Sequence, residues 1–162
     1  MKNGIIISDT GPIFSLALID KLDLLNSLFD EVYIPKAVWE ELARDENTTT
    51  FRLIYDFFKD KIVEISGFNE LIFIMDYGES EAITLYKEVD ASFLLIDDRK
   101  ARKIAESLGI QCIGTIGLLS NAKDKKLISE LKPLFEIFLN NKRYYSKKIL
   151  NMILAHHGEL LF

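Results

Sequence analysis

The chain has one cysteine, three prolines, eight glycines and one tryptophan in 162 residues. A single cysteine excludes an intramolecular disulfide and any cysteine-rich zinc site. Cys112 lies in an apolar, strand-like run and reads as a buried, inert thiol. With so little proline and glycine there is no low-complexity segment, and no internal repeat is visible. No apolar stretch approaches the ~20 residues of a membrane span. The N-terminal apolar run is too short for a signal peptide and is stopped at once by Asp9. These absences lead to the expectation of a reducing, cytoplasmic location with no membrane contact. Neither a P-loop lysine motif nor a GxGxxG fingerprint is present. No serine–histidine layout competes with other chemistry: the two histidines, His156 and His157, stand side by side near the C-terminus and read as surface residues. Positive charge is also in deficit, with 20 Lys and Arg against 25 Asp and Glu and a net charge of −5. That excludes attraction of the whole surface to nucleic acid, so such a role needs a local basic patch or metal ions.

What is present is globular: 49% apolar and 28% charged residues, enough for one domain with a sizeable core. "IIIS" at the start, "EVYIP", "KIVEI", "SFLLI" and "IQCIG" read as strands. Helical spacing runs through residues 13–29, with a break near Asp20. It recurs in "KAVWEELARDE", "TTTFRLIYDFFKD", "GESEAITLYKEV" and "DRKARKIAESLG", which ends at Gly109. Residues 66–77 read as loop plus a helical turn, and Pro35 as a first-turn residue of the helix that follows it. Three further helices are expected at about 116–125, 129–140 and 146–157. Strands alternating with helices predict an α/β three-layer sandwich, a parallel sheet flanked by helices. We expect one domain over residues 1–162, with a core at about 3–133 and C-terminal helices at 134–162.

Open parallel sheets carry their functional sites at the carboxyl ends of the strands. Asp9 directly follows the first strand, and Asp97 and Asp98 directly follow "SFLLI". If those strands are neighbours, three carboxylates converge at one rim. Each has a plainer role open to it: Asp9 could begin a turn and Asp98 could cap the helix "RKARKIA". On the helix after Pro35, Glu41 flanks the apolar stripe while Glu40 points further away. On "GESEAITLY", Glu79 shares a face with Ala82, Ile83 and Tyr86, and Glu81 lies about 200° around the wheel. Clustered carboxylates repel, so they take up protons or hold a cation. Oxygen-only ligands suit Mg²⁺ or Mn²⁺ rather than zinc, and the matching chemistry is hydrolysis of phosphodiesters.

The segments "ISDTGPIFSLALIDKLDLL", "VYIPKAVWEEL", "GESEAI", "LLIDDRKARKIAESLG" and "IGTIGLLSNAK" together resemble the PIN-domain family, in a prokaryotic branch related to the VapC toxins. The resemblance covers residues 5–133 and rests on the order and spacing of these segments. It implies a parallel sheet sandwiched by helices and metal-dependent RNA cleavage by three or four acids. Carried over residue by residue, the catalytic set falls on Asp9, Glu41, Glu79 and Asp98, with Asp9, Asp98, Glu79 and Asp97 as metal ligands. Side-chain periodicity favours Glu79 for the helix position, whereas the acid-then-alanine pattern favours Glu81. Thr10 and Thr115 are further candidates, and Ser8 and Thr10 could position Asp9. The chain departs from the family pattern in having glutamate for the usual helix aspartate, Ile96 for a threonine and Lys100 for an acid.

Arg99 and Lys100, beside Asp98, are the candidate RNA contacts. "NNKRYYSKK" interleaves basic and aromatic residues in a manner suited to stacking and phosphate contact. The expected function is a Mg²⁺- or Mn²⁺-dependent endoribonuclease, the toxin of a toxin–antitoxin pair, with RNA as substrate. An antitoxin protein and a homodimer are candidate partners, for which the apolar C-terminal helices offer surface. The alternative is a weak or inactive PIN-like module that binds RNA or a protein partner. A haloacid-dehalogenase-like phosphatase would open with an Asp-x-Asp pair, where this chain has Asp9-Thr10-Gly11.

Overall fold

Five short strands, β1 (Ile5–Ser8), β2 (Glu31–Pro35), β3 (Ile62–Val63), β4 (Phe93–Leu95) and β5 (Cys112–Ile113), pair in parallel in the order β3-β2-β1-β4-β5. The computed structural model describes residues 2–162. They divide into two compact units, one running to Gly114 and the other spanning Thr115–Phe162. The sheet and helices α1 (Thr10–Leu18), α2 (Asp23–Leu28), α3 (Lys36–Ala43), α4 (Thr49–Phe58), α5 (Tyr77–Glu88) and α6 (Arg99–Ser107) belong to the first. Helices α7 (Thr115–Asp124), α8 (Lys132–Asn140) and α9 (Lys147–His156) belong to the second. Among the described residues this is the expected α/β architecture, an all-parallel sheet flanked by helices. No helix among them is long and apolar enough to cross a membrane.

Successive strand side chains point to opposite faces, and here both sets are buried. Ile7 and Leu94 pack with Ala82, Ile83 and Leu85 of α5 and Ala101 and Ala105 of α6. Ile6, Ile34 and Leu95 point the other way and are equally inaccessible. On that side Phe29, just past α2, meets Phe93 edge-on at 5.8 Å between ring centroids. A strand covered on both faces needs the unbroken apolar run that "IIIS" and "FLL" supply.

The break near Asp20 is real: Asp20 takes φ +53° between α1 and α2, a region aspartate tolerates better than most residues. Residues 70–73 form a 3₁₀ turn inside the 66–77 segment. Four local expectations need correction. "KIVEI" pairs only through Ile62 and Val63, opposite Ile34 and Pro35, and Pro35 has no N–H with which to extend a ladder. Pro35 itself sits at the N-cap of α3, one place before the first turn. Helix α8 begins at Lys132 rather than near 129, with Pro133 in its first turn. Cys112 is half-buried rather than buried; desolvation, partly offset by Arg102, pushes its thiol up to about 11, which keeps it inert.

In the second unit, Glu159 holds the turn after α9 against α8. Its carboxylate accepts from Leu131 N at 2.8 Å and Lys132 N at 2.9 Å, and pairs with Lys123. Burial raises its carboxyl, but Lys123 and the two N–H groups outweigh that and hold it below the usual glutamate value. We expect Glu159→Ala to cost about 2 kcal/mol in urea unfolding at pH 7, since charge-assisted hydrogen bonds are lost. Because the folded carboxyl is depressed, this stabilisation is present above the unfolded glutamate pKa and fades as pH falls through the folded one. The wild-type and variant midpoints should therefore converge in acid.

Candidate functional site

The chain winds outward from β1 through β2 to β3, then returns to lay β4 on the other side of β1. The carboxyl ends of β1 and β4 thus flank the topological switch point, where crossovers diverge and leave a crevice. Register brings the two ends level, with Ser8 opposite Leu95 and Asp9 N donating to Leu95 O at 2.9 Å. The residues leaving these strands are Asp9 on one side and Asp97 and Asp98 on the other.

A cleft of about 240 Å³ opens there, lined by Asp9, Glu41, Asp76, Glu79, Asp97 and Asp98 together with the Thr10–Pro12 turn. Each acid is delivered by a different local cause. Asp9 is the N-cap of α1 by backbone, yet its side chain makes no capping bond, and it is only 7% exposed. Asp98 caps α6: its Oδ1 accepts from Ala101 N at 2.8 Å, which leaves the second oxygen for the cleft. Glu41 comes from α3, where its Oε2 accepts from Thr10 Oγ1 at 2.6 Å. Asp76 and Glu79 open α5. Ser8 Oγ donates to Asp9 O at 2.9 Å, so it braces the backbone there, not the carboxylate.

Glu81 has another task. Pro35 offers no side-chain cap to α3, and Glu81 supplies one from α5, its Oε1 accepting from Ala37 N at 3.0 Å. It is 5% exposed and faces away from the cleft acids. That link fixes α5 against α3 and sets Gly78 against Glu41. A Cβ at Gly78 would come within 2.5 Å of Glu41 Oε1. Gly78→Ala adds a better helix former, worth up to about 1 kcal/mol, while displacing the tip of Glu41. We expect thermal stability to hold or rise slightly and metal affinity to fall about tenfold, checked by melting and Mn²⁺ titration of the same preparation.

Among the described residues neither Asp9 nor Asp98 is in an ion pair with lysine or arginine. Burial, with further push from Glu41, Asp97 and Asp98, raises the Asp9 carboxyl to about 7, against a lowering hydrogen bond from Thr10. Glu79 is likewise raised to about 7, first by desolvation and then by Asp9, Asp98 and Asp76. The donor set is all oxygen and all acid, which fits a hard divalent cation such as Mg²⁺ or Mn²⁺. Asp9, Asp98, Glu79, Asp97, Glu41 and Asp76 are the groups that could hold one, and a cation among them would offset both the burial and the repulsion that raise Asp9 and Glu79.

Asp76 was missed from the sequence. Its signal was its place one residue before a helix; there it is an N-cap whose carboxylate does not cap. Arg99 is exposed at the first position of α6. Lys100 lines an adjoining groove of about 140 Å³ that shares Asp76, Glu79 and Asp98 with the cleft. Thr115 opens α7 in the second unit and is fully buried. In the basic C-terminal stretch, Tyr144 is 93% exposed while Tyr145 packs on Phe138 at 5.0 Å. His157 overturns the surface reading: its side chain is 7% exposed and its Nε2 lies 2.8 Å from Ser120 Oγ. His156 alone is exposed.

The family model DUF3368, described as a PIN domain, matches residues 5–159 of the chain. Among curated proteins no sequence matches it.

Proposed function

Since this chain belongs to the PIN-domain family, whose members are generally nucleases, we propose that it is a Mg²⁺- or Mn²⁺-dependent endoribonuclease acting at the carboxylate cleft. The observation that carries the proposal is the convergence of six acids from four separate stretches of chain on one crevice at the switch point. Holding so much like charge together opposes folding, and a cation site is the use that offsets it.

When bound, a divalent ion supplies Lewis acidity for phosphodiester hydrolysis. The chain's own residues hold and orient. Asp9 and Asp98, fixed at their strand ends, are the central ligands in this reading, with Glu79 and Asp97 beside them. Thr10 steadies Glu41 across the cleft mouth. In the metal-free cleft Asp9 and Glu79 are both raised to about 7; with a cation among them they would be held ionised, as ligands. Arg99 and Lys100 stand at the edge, where RNA phosphates would be held. A toxin role within a toxin–antitoxin pair belongs to the same proposal, with an antitoxin or a second copy of the chain as partner.

The test is cleavage of a mixed-sequence RNA by the purified full chain. Activity should require Mn²⁺ or Mg²⁺, stop with chelator and return on adding metal. Activity that survives chelation would remove the metal mechanism. A second reading, a PIN-like module that binds RNA or a partner without cutting, draws on Lys100, which lines the groove beside Asp98 and Glu79. In that case the wild type binds Mn²⁺ no better than Asp9→Asn.

A further inference from the structure

We infer that Asp124, His156 and His157 form a zinc-class metal site within the second unit, joining the end of α7 to the end of α9. One ligand atom from each residue lies within 4.8 Å of the others. They differ in residues and chemistry from the cleft acids: two imidazole nitrogens and one carboxylate suit Zn²⁺, and Ni²⁺ or Co²⁺ as probes, over the hard oxygen-seeking ions.

His157 is the fixed member. Its side chain is 7% exposed, and its Nε2 meets Ser120 Oγ at 2.8 Å. With the ring proton on Nε2 and donated to Ser120, the Nδ1 lone pair faces Asp124 Oδ1 at 3.8 Å. That separation is too long for a hydrogen bond. It is close to the ~3.4 Å between two ligands on a tetrahedral ion with bonds near 2.0–2.1 Å. A second hydrogen bond that selects the ring tautomer is the usual support of a metal-binding histidine. The neighbouring ring of His156 stands edge-on to His157, with centroids 4.8 Å apart. His156 and Asp124 are both exposed, so either can rotate in without repacking the core.

The surroundings favour a cation. Asp124 is the last residue of α7 and His156 the last of α9, so the negative ends of two helix dipoles meet there. Gly158, at φ +71°, turns the chain directly afterwards. Glu159 then ties that turn to Lys123, Leu131 and Lys132, which sets the position of the ligands before any ion arrives. Solvent would fill the fourth coordination position.

The experiment uses the full chain stripped of metal and titrated calorimetrically with Zn²⁺ in excess Mg²⁺, so that the carboxylate cleft is occupied. One equivalent of Zn²⁺ should bind and raise the melting temperature. Co²⁺ in its place should give the visible spectrum of a nitrogen-ligated tetrahedral ion. His156→Ala and Asp124→Asn should each weaken Zn²⁺ binding at least tenfold, and the Asp9→Asn/Asp98→Asn double variant should keep it. Absence of Zn²⁺ binding would mean that His157 and Asp124 form only an ion pair, and would overturn the proposal. So would binding that survives His156→Ala, or binding lost only in the double variant. His156 is exposed, so its removal tests ligation and leaves the fold intact.

Discussion

Asp9→Asn is expected to lower RNA cleavage by about 10³-fold or more, while the melting temperature stays level or rises by about 5 °C. The two effects share one cause. In the proposed mechanism, losing Asp9 as a ligand forfeits several kcal/mol of charge stabilisation in the transition state, and each ~1.4 kcal/mol is a factor of ten. The same change removes a carboxyl whose ionisation is opposed by burial and by Glu41, Asp97 and Asp98, so the fold loses a source of strain. Asp98→Asn should act alike, because asparagine caps a helix about as well as aspartate and the bond from Ala101 N survives. Circular dichroism melts and a cleavage assay on the same samples check both halves. Early melting in either variant would show that these carboxylates serve the fold instead.

The second large effect is a fall in stability as pH rises in the metal-free protein. Folded Asp9 keeps its proton to about 7, whereas the unfolded chain gives it up near 3.8. Between those values the folded state binds more protons than the unfolded state, so stability is highest in mild acid and declines up to about pH 7. For Asp9 alone the decline is on the order of 4 kcal/mol. Glu79 adds to it in the same direction and less strongly, because solvent screens it. Urea unfolding from pH 4.5 to 8 with chelator present gives the slope, and the difference between wild type and Asp9→Asn isolates the Asp9 share. Mn²⁺ should flatten the curve, since it competes with protons for the same oxygens. A wild-type slope equal to that of Asp9→Asn would remove the basis for this expectation.

Much of the first unit was legible because its signals are local. "IIIS" and "FLL" are apolar runs ended by acids, and a parallel sheet buried on both faces calls for such runs. Helical period also separated Glu79 from Glu81 and favoured Glu79 for the cleft side, while the acid-then-alanine pattern kept Glu81 open. That was settled by a need elsewhere, the uncapped start of α3, which Glu81 meets from 44 positions away. Gly78 looked like an ordinary first-turn residue; its closeness to Glu41 arises only when α5 lies on α3. His157 looked exposed because its partner Ser120 is 37 residues distant. Asp76 was hidden because residues 66–77 read as loop plus a helical turn, which put the start of the next helix at Gly78 and not beside Asp76.

The order of the strands bears on how the chain is made. The strand synthesised first ends in the middle of the sheet, between partners at residues 31–35 and 93–95. During translation one side of "IIIS" can be paired early, while the other stays open until residues 93–95 have emerged. An apolar strand with an open side is where unwanted association begins. Products of stalled synthesis that stop short of Phe93 would therefore be sticky, and with only Asp9, Glu41, Asp76 and Glu79 in hand they would lack the far wall of the cleft.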